Sequence, residues 1–204
     1  MIRPEPVVLE RDCVRLEPLG HEHAEGLRAA LADGELWRLW FTNTPTPEDV
    51  EAYIAAAMQG QREGRALPFA VRDLASGAIV GSTRYHDIAP ELDRLEIGFT
   101  WYSKSRQRTA LNTTCKLLLL ANAFEAVGAK VVVLLTDAFN FTSQRAIEAL
   151  GAKKDGTLRH HRLRRDGSAR DTVIYSILAA EWPDVRRHLE FRLERHGTAA
   201  ATAS

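Results

Sequence analysis

Cysteine is scarce in this chain of 204 residues: only Cys13 and Cys115 occur, far apart and outside any CxxC pattern. That excludes a disulfide scaffold and a thiolate metal site, and fits a reducing cytoplasm. Net charge is missing as well. The 27 Lys and Arg residues balance 27 Asp and Glu, so no global field marks out nucleic acid or an anionic membrane as partner, and any cation cluster has to be read locally. No apolar run approaches the ~20 residues of a membrane span. The charged start MIRPEPVVLERD lacks the apolar region of a signal peptide. Repeats and low-complexity linkers are absent too. What is there, 45% hydrophobic residues, suffices for one soluble domain over 1–204, its core roughly residues 10–190, with a frayed tail at 197–204.

Hydrophobic periodicity orders the elements. CVRLEPL alternates as a short strand ending at Pro18, and HEHAEGLRAALAD carries Ala24, Leu27, Ala30 and Leu31 at helical spacing. A second helix starts at Thr46-Pro47 and closes between Gly60 and Gly64. PFAVRDLASGAIVGSTRYHDI and DRLEIGFTWYS read as an antiparallel meander, followed by a long apolar helix and by VVVLLTD as a fully buried strand. FTSQRAIEALG is an amphipathic helix, Asp166-Gly167 marks a hairpin, and EWPDVRRHLEFRLERH forms the last helix. The order predicts an α+β (mixed α/β) fold.

Between the strand at 94–101 and the apolar helix lies a cationic loop, with Lys104, Arg106 and Arg108 around the helix entrance. The first turn of a helix leaves its N–H groups unpaired at the positive end of the dipole, so such a loop suits an anion. Backbone amides of 107–112 and the three cations are matched to a pyrophosphate, and a solvated basic turn is the plainer alternative. The two strands flanking this helix form a strand–helix–strand unit whose ends can admit a thin ligand arm.

With these features the sequence resembles the GCN5-related N-acetyltransferase superfamily, and within it the RimJ/RimL-like ribosomal-protein N-acetyltransferase branch. Gln107-Arg108-Thr109-Ala110-Leu111-Asn112 occupies the family's loop of pattern Q/R-x-x-G-x-G/A, with Ala110 in place of Gly and Asn112 in place of Gly or Ala. Asn140-Phe141-Thr142-Ser143, AIEALGAKKDGTLR and DGSARDTVIYSILAAEWP are similar to the C-terminal half of that branch. The resemblance implies a central, mostly antiparallel twisted sheet of about seven strands flanked by helices, splayed at the acetyl-CoA site. It also implies acetyl-CoA as co-substrate, an amine acceptor and a backbone N–H near Thr100, Trp101 and Tyr102 that polarises the thioester; a homodimer is compatible with it. The assembly and the acceptor, whether protein N-terminus or small molecule, stay open. Because two loop positions are altered, a catalytically silent acyl-CoA-binding or regulatory module stands as the alternative.

Acetyl transfer needs a neutral amine, a polarised carbonyl and a proton for the leaving thiolate. By resemblance, Ser143 is the acid and Asn140 holds the pantetheine arm or an ordered water; helix capping is the plainer reading of both. Glu96 is the candidate base, although its alternation with Leu95, Ile97 and Phe99 is equally that of a solvated strand face. Trp37, Trp40 and Phe41 are candidates for the acceptor pocket or for a packed plug, and Arg84 and Tyr85 for added polar contacts. His160 and His161 are adjacent on a strand and point to opposite faces, and His21 and His23 lack further ligands, so no metal is expected. The basic run RHHRLRRDGSAR has no interleaved aromatics and does not indicate nucleic acid.

Overall fold

The computed structural model describes the backbone of residues 1–202 and the side chains of 1–196. Eight strands form one sheet in the order β1-β2-β3-β4-β5-β6-β8-β7. They are β1 (Leu9–Arg11), β2 (Val14–Pro18), β3 (Ala66–Asp73), β4 (Ile79–Ala89), β5 (Arg94–Tyr102), β6 (Val131–Asp137), β7 (Lys153–Leu163) and β8 (Ala169–Leu178). All neighbours are antiparallel except β5 and β6. The expected mixed fold, meander and final hairpin are present. Gly167, at φ +81°, supplies the left-handed residue that this tight turn needs.

Helices cover both faces. α1 (Ala24–Ala32) and α2 (Val50–Arg62) lie over β3 and β4, where Leu27, Leu31, Val50, Ile54 and Trp101 form one apolar cluster. α3 (Leu111–Ala121) and α5 (Trp182–Thr202) pack on the opposite face around Leu16, Phe69, Tyr85, Leu95, Ile97, Leu119 and Val132. α4 (Phe141–Glu148) follows β6. The tail expected at 197–204 falls on residues whose side chains, and at 203 and 204 also the backbone, lie outside the described residues.

Two boundaries differ from the sequence reading. α2 begins at Val50, not at Thr46-Pro47. Thr46 Oγ1 instead donates to Asp49 Oδ2 at 2.9 Å, closing a polar turn before the helix. β6 is buried on one face only: Val132, Leu134 and Thr136 are buried, while Val131, Val133 and Leu135 are half-buried. Beside the second half of this strand the sheet opens. β5 and β6 pair only at Arg94–Glu96 with Val131–Val133. Beyond that point β5 stays with β4 to Tyr102, and β6 stays with β8 to Asp137. The β4–β5 register shifts between Ser82 and Arg84, opposite Phe99 at φ +50°, and such a bulge bends a strand.

Candidate active site

Three segments border the opening: the second half of β5, the end of β6 with α4, and the entrance to α3. That entrance is braced by α1. Lys104 N–H donates to the Asp33 carbonyl at 2.9 Å, and Ser105 N–H to Asp33 Oδ2 at 3.0 Å. The bonds from Ser105 hold the Asp33 carboxyl below its ordinary value. Of the three cations expected here, Arg106 is not free, because its Nη2 lies 2.8 Å from buried Asp73 Oδ2. Lys104 and Arg108 are exposed and make no ion pair among the described residues. Arg108 takes the left-handed conformation, φ +62°. Ala110 keeps ordinary helical angles, φ −63° and ψ −19°, so the loop's demand for positive φ falls on Arg108 rather than on the position where the pattern has Gly. Gln107 donates to the Tyr102 carbonyl at 3.3 Å, and Thr109 Oγ1 accepts from Leu111 N–H at 3.2 Å. Asn112 lies in the first turn of α3, whose N–H groups have no intrahelical acceptor.

Across the opening, Asn140 is the N-cap of α4, its Oδ1 accepting from Ser143 N–H at 3.0 Å. The Ser143 side chain is half-buried, and its hydroxyl makes no hydrogen bond among the described residues. The turn before the helix hangs on a group that sequence reasoning missed, the buried Asp137. Its carboxylate accepts from Phe139 N–H at 2.9 Å and from Arg164 at 2.7 and 3.3 Å. This pairing raises the Arg164 pKa, whereas burial lowers that of Arg170, whose Nε lies 4.0 Å from Asp137.

The sheet face toward α1 and α2 carries the candidate base. Glu96 is only 6% exposed, which removes the solvated-face reading. Its Oε1 lies 3.0 Å from His86 Nε2, near enough for an ion pair but off the angle of a hydrogen bond. Gly98 makes room for this contact, since a Cβ there would collide with His86 Nε2 and come within 3.2 Å of Glu96 Oε1. Arg84 lies on the same face, under the rings of Phe99 and Tyr53 at 4.2 and 4.7 Å. Tyr85 does not join it. One residue along the strand, it points into the other core and donates its hydroxyl to the Leu119 carbonyl at 2.5 Å. The side chains of Trp101, Tyr102 and Leu111 are likewise core, which leaves their backbone to the opening.

Trp40 is half exposed and packs on Phe41 and on Phe139, each at 5.5 Å, with the Arg164 guanidinium 4.7 Å above its ring. Trp37, Trp40 and Arg165 line a groove of about 270 Å³. Arg165, at the β7–β8 tip, donates to the Trp37 and Thr44 carbonyls and ties the hairpin to the α1–α2 segment. Beneath β5, Lys116 is buried and donates to Thr100 Oγ1 at 2.7 Å, and Thr100 Oγ1 is 2.8 Å from Thr83 Oγ1. Burial pulls the Lys116 pKa down to about 8.

Among the described residues no group of three or more His, Cys, Asp and Glu is arranged to hold a metal, and no helix is long and apolar enough to cross a membrane. Comparison with curated protein sequences found no match. Among solved structures, a GCN5-related N-acetyltransferase from Brucella melitensis superposes with a TM-score of 0.82 at 29% identity, over 92% of this chain and 86% of that one. An acetyltransferase-like protein from T. thermophilus gives 0.81 at 34% identity over 93% and 98%. Mycobacterium smegmatis RimJ, at 22% identity over 92% and 93%, shares the fold with a TM-score of 0.76. The model of the acetyltransferase (GNAT) domain family matches residues 14–153, and the chain belongs to the GCN5-related N-acetyltransferase family.

Proposed function

We propose that the protein is an acetyl-CoA-dependent N-acetyltransferase of the RimJ/RimL-like branch, acting on a primary amine. The observation that carries this reading is the separation of β5 from β6 beyond Glu96 and Val133, beside Ser143 and next to a helix entrance bearing two cations unpaired among the described residues. Mycobacterium smegmatis RimJ was solved with CoA-disulfide, and the loop here fits the same coenzyme. Lys104, Arg108 and the amides of 107–112 offer donors to a pyrophosphate, and Arg106 fixes the loop's path from its bond to Asp73.

When bound, acetyl-CoA supplies an activated acyl carbon, whose bond to sulfur breaks as the bond to nitrogen forms. The chain's own groups do the rest. Asn140, its side-chain oxygen occupied by the cap, offers its amide nitrogen to the pantetheine arm. A backbone N–H near Thr100 to Tyr102 polarises the carbonyl, with Thr100 held from both sides by Lys116 and Thr83. Ser143 delivers a proton to sulfur, and Glu96, beside His86, receives the proton leaving the amine. Trp37, Trp40, Phe41 and Arg84 border the acceptor.

Thiol release from acetyl-CoA across a panel of amines tests the reading. Release with any amine, lost in Ser143→Ala, supports it. Tight coenzyme binding without release across the whole panel identifies a silent acyl-CoA-binding module, and no coenzyme binding sinks the proposal.

A further inference from the structure

Arg84 breaks a rule that the other arginines of the interior obey. Arg164 is paired with buried Asp137, and Arg106 reaches in to buried Asp73. Arg84 is 7% exposed, yet among the described residues its Nε and Nη2 have no hydrogen-bond partner, and its guanidinium lies against two aromatic faces. Guanidinium stays charged at any pH a folded protein meets, so burying it without a counter-charge is unfavourable unless an anion completes the site. The acid on its face of the sheet, Glu96, is already against His86.

The two covers over Arg84 are unequal. Tyr53 is tied down through its hydroxyl to Ser82 Oγ at 3.1 Å. Phe99 sits on the bulge at φ +50°, is 43% exposed, and edges against the His86 ring at 4.9 Å. An incoming anion has only that loosely held ring to displace. The strand register sets the distance to the candidate base: Arg84 lies opposite Gly98 and His86 opposite Glu96. One same-face step along a strand is about 7 Å. Arg84 and Glu96 are thus diagonal neighbours on one face, about 7 to 8 Å apart at the backbone, so one small molecule can reach both.

We infer that the acceptor is an amino acid, an amine with a carboxylate a few bonds away: Arg84 takes the carboxylate and Glu96 with His86 faces the nitrogen. The inference rests on the acetyltransferase reading and narrows its substrate. A planar fork of donors matches a carboxylate in two bonds, and a neutral amide in that place leaves the charge unanswered.

The test compares thiol release with glycine, β-alanine and larger amino acids against their amides, their decarboxylated amines, and peptides with amidated C-termini. The wild type is expected to prefer acids over amides by about 10-fold or more in kcat/KM, a ratio that needs no variant. In Arg84→Gln the ratio falls toward one, and Arg84→Lys keeps part of it. Equal use of acids and amides by the wild type, or a ratio unmoved in Arg84→Gln, overturns the inference while leaving the acetyltransferase intact. Turnover of amidated peptides alone does the same and points to protein N-termini. No release with any amine removes both readings at once.

Discussion

The proposed coenzyme side and the proposed acceptor side of this molecule are built on opposite principles. Around 104–112 the groups proposed to face the coenzyme are backbone amides and two exposed cations, on a loop braced from behind by Asp33 and Asp73. On the acceptor side the groups are side chains, among them Arg84, His86, Glu96, Asp137 and Arg164, drawn from three strands and a hairpin and mostly buried. A backbone site tolerates substitution because no single side chain carries it. Buried side-chain charge tolerates little, since removing one partner strands the other.

The sharpest way to break this contrast is at Asp137. Arg164→Ala removes the main counter-charge of a fully buried carboxylate and is expected to cost about 3 kcal/mol, read as a shift in a urea midpoint. A change within about 0.5 kcal/mol would mean that Arg170 alone satisfies Asp137. Next in size is chemistry. Glu96→Gln and Ser143→Ala are each expected to lower kcat about 10²-fold with coenzyme affinity kept. The Glu96→Gln loss recovers partly as rising pH deprotonates the amine itself. A pH–rate profile superimposable on wild type ends the base assignment. Retained kcat in Ser143→Ala reduces that residue to its place in the α4 cap.

Lys116 gives a smaller, pH-dependent effect. Its folded pKa of about 8 lies below the ordinary 10.5, so between those values the unfolded chain binds more protons and stability rises with pH. From pH 7 to 9 the expected gain is about 1 kcal/mol, and Lys116→Met should lose it. Cys115, pushed up to about 12 by burial, acts in the opposite sense above its ordinary value, so the difference between the two proteins is the useful reading. Identical slopes would show that Lys116 is not buried as a cation. Smallest of all are the loop effects. Arg108→Ala should weaken acetyl-CoA binding several-fold and flatten its salt dependence. Ala110→Gly should change affinity little, because Ala110 already has helical angles; a large gain would mean that its Cβ crowds the pyrophosphate.

The same contrast explains what could be read in advance. The loop, the cap Asn140 and the hairpin at Asp166-Gly167 are local, and their residues lie within a few positions of one another. The acceptor face is not. Asp137 meets Arg164 across 27 positions, and Arg165 reaches Thr44 across 121; such contacts leave no periodic mark. His86 was out of reach too, since the register beside the turn pairs Ala89 with Arg94, and only a shift between His86 and Ala89 sets His86 opposite Glu96. Tyr85 failed for a plain reason: neighbours on a strand face opposite ways. The pairing of Arg106 was hidden because its partner Asp73 is at the end of β3, and nothing in the loop's composition announces it.

The most direct measurement is a crystal structure with coenzyme A bound. The pyrophosphate is expected within hydrogen-bond distance of the amides of 107–112, with Arg108 and Lys104 alongside. The pantetheine arm is expected between β5 and β6, and the sulfur near Ser143. Coenzyme A bound elsewhere, or β5 and β6 zipped together past Glu96 with the arm outside them, would contradict the proposed site.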